Sequence, residues 1–348
     1  MPLPVNPPFP PMEAKTVEGI PEGKQWQYEP KWDGFRCLAF RDGATVRLQS
    51  KSGQPLERYF PELVEALLAL KPERFVLDGE IIVPINGALS FDDLLQRIHP
   101  AASRIAKLSV ETAAQLVVFD LLVDDNGADL TSMHLGERRP LTERFAKGFL
   151  KRNAIINLSP ATTDMAVVRA WFDAVGSGLD GVIAKRRDMA YMSGERTGMV
   201  KIKNKRTADC IVGGYRYAEK SPVIGSMLLG LYDDAGLLHH VGFTSSFTAK
   251  FREELTPILE ELREPPGFTG QAPGGPSRWS TKRSAEWEPL APKVVVEIEY
   301  DHFTNGRFRH GTKFIRWRPD KDPSQCTLDQ IGTEKESPLS LLDDPSST

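Results

Sequence analysis

The alternation of apolar and polar side chains between residues 25 and 50 constrains the fold more than any other feature of this chain. A period of two places successive side chains on opposite faces of a β-strand. The Arg-Asp-Gly triplet at 41–43 is a turn signal, so the segment predicts a β-hairpin. We therefore predict a first domain of the α+β class, built mainly on antiparallel strands. Further strand patterns lie at 75–84, 115–125, 179–188 and 198–205.

Helical patterns lie between these strands. Residues 61–70 have helical spacing, and Ser90 is a candidate N-cap for a helix over 90–98. We predict that a third helix begins near Pro140 and that a fourth covers residues 162–178, where glycines close it. The proline-rich N-terminus, MPLPVNPPFPPMEAK, predicts an extended arm that lies along the surface.

The sequence pattern changes after KNKRTADC, which divides the chain into a first domain at 1–205 and a second at 206–348. Short strands with turn signals occupy the stretches near 210–245 and 293–317, and one helical segment, TAKFREELTPILEELRE, lies between them. This combination predicts an OB-fold β-barrel. We expect the polar tail from about residue 333 to be frayed.

Composition restricts the class of protein and its compartment. The three cysteines are far apart, which suggests neither a disulfide framework nor a zinc motif and fits a reducing cytoplasm. No apolar run reaches the roughly 18–20 residues that span a membrane, and the N-terminus lacks a signal-peptide pattern. The net charge of −3 does not indicate a nucleic-acid partner, so a basic surface must come from local clusters such as KIKNKR at 201–206.

The strongest candidate for chemistry is Lys31, in the motif Lys-Trp-Asp-Gly. Lysine is a poor nucleophile while it is protonated, and neighbouring cations or burial lower its pKa. A lysine at the end of a strand, beside an Asp-Gly turn, is well placed to attack a phosphate. By itself the motif is weak, and a surface lysine before a turn is the simpler interpretation.

Further motifs follow Lys31 in order, and Arg36 extends the first one to K-x-D-G-x-R. The later motifs are S-K-S-G at 50–53, F-V-L-D-G-E at 75–80, V-V-F-D at 117–120, D-G-V-I-A-K at 180–185, V-K-I-K at 200–203 and R-P-D-K at 318–321. The ordered set resembles the covalent nucleotidyltransferases, which are ATP-dependent DNA ligases, RNA ligases and mRNA capping enzymes. Each motif is weak alone, whereas the order and the intervals make the set specific.

The resemblance implies a nucleotide site around Lys31, which corresponds to the nucleophile that forms a phosphoramidate with AMP. Phe119 resembles the aromatic residue that stacks on adenine. Lys51 stands where the family usually has arginine, a change that keeps the charge and loses the bidentate fork. The other implied contacts are Glu29 with adenine, Arg36 with the ribose, Glu80 with the ribose 2′-hydroxyl or a metal, and Lys185, Lys201 and Lys203 with the phosphates.

Glu80 and Asp180 are the candidate ligands of Mg²⁺, with Mn²⁺ as the alternative, because carboxylate oxygens suit hard cations. Asp180 stands where many relatives have the longer Glu. In related enzymes R-P-D-K lies in the OB domain and closes over the ATP triphosphate. The resemblance therefore implies that Arg318, Asp320 and Lys321 orient the departing pyrophosphate.

The C-terminal part of the chain resembles the outer domain of the small bacterial ligases called LigC-like. The stretches that carry this resemblance are PSRW at 276–279, EWEPL at 286–290 and YDHFTNGRFRHGT at 300–312. Arg307, Arg309 and Lys313 alternate, so we expect them to project from one face of a strand and to contact DNA phosphates.

Together these features predict an ATP-dependent DNA ligase that seals 5′-phosphate/3′-hydroxyl nicks through Lys31–AMP and an adenylated DNA end, in DNA repair. The expected partners are nicked duplex DNA and a DNA-repair polymerase or end-joining proteins, with no membrane and with the chain acting as a monomer. Three alternatives stay open: a capping guanylyltransferase, which would carry GMP on Lys31, an RNA ligase, and a catalytically inactive nucleic-acid-binding scaffold.

Overall fold

The computed structural model describes residues 2–150, 155–175, 178–274, 286–309, 311–331 and 336–342. The chain divides into two compact units. The first comprises Met1–Asn204 and Glu334–Thr348, and the second comprises Lys205–Thr333. Within the described residues, no helix is both long and apolar enough to cross a bilayer.

The described part of the first unit mixes strands and helices, which confirms the predicted α+β class. Its strands are β1 (Ala14–Thr16), β2 (Trp26–Pro30), β3 (Phe35–Asp42), β4 (Thr45–Ser50), β5 (Arg74–Ile82), β6 (Pro84–Ile85), β7 (Ala88–Leu89), β8 (Gln115–Val123), β9 (Ile156–Leu158), β10 (Gly181–Arg186) and β11 (Met199–Lys203). Its helices are α1 (Pro61–Leu68), α2 (Phe91–Arg97), α3 (Ala102–Glu111), α4 (Leu135–Phe149) and α5 (Met165–Val175).

A five-stranded sheet in the order β4-β3-β5-β8-β9 forms the centre of this unit. Its strand pairs are antiparallel except for β8 and β9. The predicted hairpin is β3–β4, which turns at Gly43 with φ +62°. One face of the sheet packs into the largest apolar core. That core includes Cys37, Ala39, Leu77 and Ile81 of the sheet, Leu63 and Leu67 of α1, and Phe145 of α4.

A second sheet has four strands in the order β1-β11-β10-β2. Helix α5 covers one of its faces, because the helix presents apolar residues at a helical spacing toward the sheet. This contact leaves the opposite face of the sheet available to line a site. The apolar residues at the contact are Tyr28, Val182, Ala184 and Ile202 of the sheet and Val168, Trp171 and Val175 of the helix.

The predicted helices occur, and one of them begins earlier than expected. Ser90 caps α2 by accepting a hydrogen bond from the Asp93 amide, as predicted. The expected start near Pro140 is wrong, because a capping box between His134 and Glu137 begins α4 at Leu135. Helix α3 has no counterpart among the predicted helices. Only one of its residues, Ile105, is buried.

The described residues near both ends of the chain are anchored by buried side chains. The N-terminal arm runs along the surface as predicted, with Pro4, Asn6, Pro7 and Pro8 exposed, while its Leu3, Val5 and Met12 are buried in an apolar cluster with β3, β5 and β8. The described part of the C-terminal tail is not frayed. Residues Pro338–Leu342 form a 3₁₀ helix whose Leu341 side chain is buried against the α5 core.

The second unit contains most of the remaining strands in a sheet of the order β14-β13-β12-β16-β19, with β15 paired to β12. Helix α6 follows β14, and its buried Leu255 and Leu259 close the core of the sheet. This arrangement agrees with the predicted OB fold. The elements are β12 (Arg206–Tyr217), β13 (Ile224–Tyr232), β14 (Leu238–Thr244), α6 (Ala249–Glu260), β15 (Glu288–Pro289), β16 (Val295–Tyr300), β17 (Phe303–Thr304), β18 (Arg307–Phe308) and β19 (Lys313–Trp317).

His240 on β14 makes the second unit sensitive to acid. Its side chain is buried, and neither ring nitrogen has a hydrogen-bond partner among the described residues. Burial lowers the pKa of His240 to about 3, and the nearby Arg307 adds to the effect. The unfolded chain therefore binds a proton at His240 below about pH 6.5, while the folded chain does not until about pH 3.

We expect His240→Leu to flatten the fall in stability between pH 6.5 and pH 3. The native stability from a neutral His240 is fully present above pH 6.5 and is lost as the pH falls, by up to about 1.4 kcal/mol per pH unit. Urea unfolding at a series of pH values, followed by circular dichroism, measures the slope. His239→Leu on the same strand is the matched control. Equal slopes for the wild type and His240→Leu would contradict the expectation.

Candidate functional site

The uncovered face of the four-stranded sheet forms one wall of a cavity of about 190 Å³ in the first unit. Strand alternation places Glu29 of β2, Ile183 and Lys185 of β10, and Met199 and Lys201 of β11 on this face. The register across β10 and β11 pairs Ile183 with Lys201 and Lys185 with Met199. Backbone pairing therefore fixes the positions of the charged and apolar side chains on this face.

The five-stranded sheet supplies the opposite wall. Arg36 on β3 and Glu80 on β5 are paired residues, so their side chains emerge side by side. Phe119 on β8 completes this wall and is 9% exposed. The Arg36 guanidinium carbon lies 4.7 Å from the centroid of the Phe119 ring, and the Lys185 Nζ atom lies 4.4 Å from the same centroid. These cation–π contacts hold the ring in place at the cavity.

The cavity collects most of the residues that the sequence predicted for the nucleotide. Lys203 and Asp180 do not line it. They lie on adjacent strand ends, because Lys203 of β11 is paired with Gly181, the residue that follows Asp180. Asp180 contacts Lys31 directly. The predicted residues that line the cavity are Glu29, Lys31, Arg36, Lys51, Glu80, Phe119, Lys185 and Lys201.

The Lys31 ammonium donates a hydrogen bond to the Asp180 carboxylate. Burial opposes the charge on Lys31, but Asp180 outweighs burial and raises the pKa of the Lys31 amine above its ordinary value. The expected lowering of this pKa by neighbouring cations is therefore absent while the ion pair exists. By contrast, burial and the charges of Lys31 and Lys203 lower the pKa of Lys201.

Glu80 is a half-buried carboxyl that forms no ion pair among the described residues. Burial raises the pKa of Glu80 to about 7, although Arg36 and Lys31 oppose the shift. A carboxyl in this condition is ready to be neutralised by a proton or by a bound cation. Together with Asp180, it offers the hard oxygen atoms that Mg²⁺ prefers.

Arg36 is held by a buried network that connects the cavity to the N-terminal arm. It donates to both oxygens of Asp78, at 2.5 and 2.6 Å, and to the carbonyl oxygen of Met12 at 3.2 Å. The hydroxyl of Tyr191 donates to Asp78 at 2.6 Å and accepts from the Met12 amide at 3.1 Å. The arm is thereby fixed as part of the cavity, and Glu13 on it pairs with Lys51 at 3.0 Å.

Several of these contributors were missed by sequence reasoning. Met12 and Glu13 lie before the first recognised motif, and Tyr191 lies in a loop between two motifs, so only the tertiary contacts reveal them. Asp78 was visible in the F-V-L-D-G-E motif but received no role. Its position two residues before Glu80 on the same strand puts it on the same face, which was the available signal.

The glycines of two Asp-Gly pairs, Gly34 and Gly181, lie where a larger residue does not fit, and these glycines position the segments that carry Lys31 and Asp180. A Cβ atom on Gly34 would overlap the carbonyl oxygen of Ile81 on β5. A Cβ atom on Gly181 would overlap the carbonyl oxygen of Ile202 on β11, and Gly181 also has φ +145°. The chain segments that carry Lys31 and Asp180 can therefore approach their neighbouring strands closely.

The second unit brings together the residues of the R-P-D-K motif with acidic partners. Arg318 lies 2.8 Å from Oδ1 of Asp209 and also donates to Asp320, while the Lys321 Nζ atom lies 3.4 Å from Oδ2 of Asp209. Arg318 also lies 3.8 Å from Glu297. The two predicted cations of this motif thus share one carboxylate in this structure.

The expectation that one strand carries Arg307, Arg309 and Lys313 is wrong. Arg307 belongs to β18, in a tight hairpin with β17, whereas Lys313 begins β19. The hairpin turns at Asn305 and Gly306, both with positive φ, and the chain leaves the strand after β18, so the alternation does not continue. PSRW at 276–279 and His310 of the RFRHGT stretch lie outside the described residues.

Two family models match the chain. The model of the ATP dependent DNA ligase domain matches residues 11–203, which are more than half of the 348 residues. The model of the ATP dependent DNA ligase C terminal region matches residues 220–321. The two matches fall in the first and the second unit, respectively.

Individual relatives agree with the family models. The chain is 44% identical over 355 residues to DNA ligase C2 of Mycolicibacterium smegmatis, across 97% of this chain and 98% of that protein. It is 31% identical over 318 residues to the multifunctional non-homologous end joining DNA repair protein LigD of Mycobacterium tuberculosis, across 89% of this chain and 38% of that protein. A solved Lig E DNA ligase, 16% identical, shares the fold with a TM-score of 0.51 over 89% of this chain and 99% of that one.

Gly34→Ala tests the close approach beside Lys31. We expect it to lower the free energy of unfolding by about 2–4 kcal/mol, because the new methyl group must push β5 away or strain the turn. Gly43→Ala is the matched control: its φ is +62° in open space, so it should cost only about 1–2 kcal/mol. Urea unfolding measures both values. A Gly34→Ala cost no greater than that of Gly43→Ala would show that the backbone relaxes freely there.

Proposed function

This chain belongs to the family of ATP-dependent DNA ligases, and from that premise we propose that it seals nicks in duplex DNA through an AMP carried on Lys31. The observation that carries the proposal is the single cavity in which Lys31 lies beside an aromatic ring, a buried glutamate and several cations. Such a cavity suits a purine nucleotide: a flat apolar surface for the base and positive charge for the phosphates.

The base and the ribose are assigned to the buried end of the cavity. Phe119 offers its ring for stacking, and Glu29 offers a carboxylate that accepts a hydrogen bond from the adenine amino group. Glu29 is 2% exposed at its side chain and is paired with Lys185 at 2.7 Å, so a base that contacts it does so away from water. Arg36, held by Asp78, is assigned to the ribose.

The phosphates are assigned to the lysines. Lys51 and Lys201 line the cavity, and Lys203 lies on the same face of β11 as Lys201. Lys185 also lines the cavity but is paired with Glu29, so it reaches a phosphate only by leaving that ion pair. Phosphoryl-type transfer depends mainly on positioning and charge neutralisation, which these residues supply. The lowered pKa of Lys201, caused by burial and by neighbouring lysines, is the sign of an excess of positive charge that an anionic ligand would relieve.

Glu80 and Asp180 are assigned to Mg²⁺. The fit rests on the donor set, since the carboxylates of Asp180, Glu80 and Asp33 lie around Lys31, and on Glu80, whose pKa is raised to about 7 by burial. A divalent cation there would supply charge neutralisation at the phosphates. Lys31 attacks only as a neutral amine, so it must give up a proton, for which the Asp180 carboxylate is the adjacent acceptor, and its contact with Asp180 must break. We infer that the withdrawal of Asp180 from Lys31 precedes formation of the Lys31–AMP bond.

In the second unit, Arg318, Asp320 and Lys321 are assigned to the pyrophosphate. Arg318 and Lys321 must exchange the Asp209 carboxylate for phosphate oxygens in order to act. Arg307, Arg309 and Lys313 are assigned to DNA phosphates.

We propose that the protein acts as a monomer in DNA repair, together with a polymerase or with end-joining proteins, because LigD is named for such repair and shares 31% identity with this chain.

Lys31→Ala should abolish covalent labelling. The wild-type chain, incubated with α-³²P-labelled ATP and Mg²⁺, should keep the label through a denaturing gel and pass it to nicked DNA. Lys24→Ala, which removes an exposed lysine outside the cavity, is the matched control and should label like the wild type. Label from GTP alone would indicate a capping enzyme, and transfer only to RNA would indicate an RNA ligase. Labelling that survives in Lys31→Ala would reject Lys31 as the nucleophile.

The assignment of DNA contacts predicts a change in salt dependence. Arg307→Ala combined with Lys313→Ala should weaken binding to a nicked duplex about tenfold at low salt and should reduce the slope of log K against log [salt] by about 1–2. Fluorescence anisotropy at several salt concentrations measures both quantities. Lys250→Ala on α6 removes an exposed lysine of the same unit and should leave the slope unchanged. An unchanged slope in the double variant would remove these residues from the interface.

A further inference from the structure

Gln27 occupies a position behind the nucleotide cavity that the proposed function does not use. It lies two residues before Glu29 on β2, and its Cα partner on β10 is Lys185. The alternation of the strand therefore puts Gln27, Glu29 and Lys185 on the same face of the sheet. Gln27 is 4% exposed but does not line the cavity, so it is placed to act on Glu29 rather than on a ligand.

One oxygen of the Glu29 carboxylate accepts a hydrogen bond, and the other lies in an ion pair. The Gln27 side-chain amide nitrogen donates to Oε1 at 2.9 Å, and the Lys185 Nζ atom lies 2.7 Å from Oε2. The amide nitrogen of Gln27 must face Glu29, because its amide oxygen would repel the carboxylate. The Gln27 hydrogen bond fixes the plane of the carboxylate, whereas the Lys185 ion pair, in which Nζ makes no hydrogen bond to a described residue, would by itself leave the carboxylate free to turn about its last bond.

A carboxylate held in this way remains an acceptor. Each of its oxygens has two lone-pair directions, and the Gln27 amide occupies only one of those on Oε1. A purine with a 6-amino group donates a hydrogen bond to such an oxygen, whereas a purine with a 6-oxo group presents a second acceptor to it. Because the carboxylate is buried, a mismatched base leaves it without water to compensate, and such a mismatch is strongly rejected.

We propose that Gln27 is a positioning residue that sets the choice of nucleotide, by holding Glu29 in the orientation that selects 6-amino purines. The inference rests on the proposed function, in which Glu29 contacts the base. It makes a distinct claim: the benefit of the 6-amino group depends on the Gln27 amide. If Gln27 had a purely structural role, its substitution would change the rate of adduct formation with every nucleotide by the same factor.

The test is a double-substitution cycle on the full-length chain with Mg²⁺. The second-order rate constant for formation of the covalent Lys31 adduct is measured with ATP and with purine riboside triphosphate, which lacks the 6-amino group. The variants are wild type, Gln27→Met, which keeps the length of the side chain without its amide, and Gln25→Met as the matched control at an exposed position before β2. In the wild type we expect ATP to react about 10–100 times faster than the analogue.

Gln27→Met should reduce this preference for ATP about tenfold, mostly by slowing the reaction with ATP, and should also narrow the preference for ATP over GTP. Gln25→Met should keep the wild-type preference. If Gln27→Met is not folded, as judged by circular dichroism, Gln27→Asn carries the same test, because its shorter amide cannot reach Oε1 of Glu29. A preference that stays at the wild-type value in the folded variant, or equal slowing with both nucleotides, overturns the role of Gln27.

The failure of the underlying proposal gives a different result. If the wild-type chain forms no adduct with ATP, or if Lys31→Ala still forms one, the nucleotide site itself is misassigned. If the wild type forms the Lys31 adduct and prefers ATP while Gln27→Met keeps that preference, the nucleotide site stands and only the role of Gln27 falls.

Discussion

The pairing of buried opposite charges is the interaction on which the first unit depends. Glu29 with Lys185 and Arg36 with Asp78 bring ionised groups into an interior that is almost closed to water. Removing one member of such a pair strands the other and typically costs about 3–5 kcal/mol. The partners therefore hold each other in fixed orientations, and the walls of the cavity are set before any ligand enters.

The same kind of pairing restrains the groups assigned to the chemistry. Lys31 is bound to Asp180, and in the second unit Arg318 and Lys321 share Asp209. A charged amine is not a nucleophile, and a cation that is satisfied by a carboxylate is not available to a phosphate. Each reactive group is thus held in an ion pair with a carboxylate, and the proposed reaction begins when these ion pairs break.

Much of this arrangement follows from strand periodicity. Glu29, Lys185 and Lys201 lie on neighbouring strands, and period-two alternation turns all of them toward one face. The α+β class was accessible from this alternation and the helix cap at Ser90 from local capping chemistry, whereas the cavity residues were implied by the resemblance of the ordered motifs to the covalent nucleotidyltransferases. The start of α4 and the separation of Arg307 from Lys313 were not accessible, because capping and turn contacts decided them.

The sequence by itself determined which chemical groups the chain carries and which strand face each one occupies, because alternation and Asp-Gly turns are local properties of the backbone. Only the tertiary structure decided which groups meet. The arm residue Met12 reaches Arg36 and Tyr191, and Gln27 reaches Glu29, through burial and hydrogen bonding that no local pattern encodes. The charge state of Lys31 was also a tertiary outcome, since it depends on Asp180, which is distant in the sequence and adjacent in the folded chain.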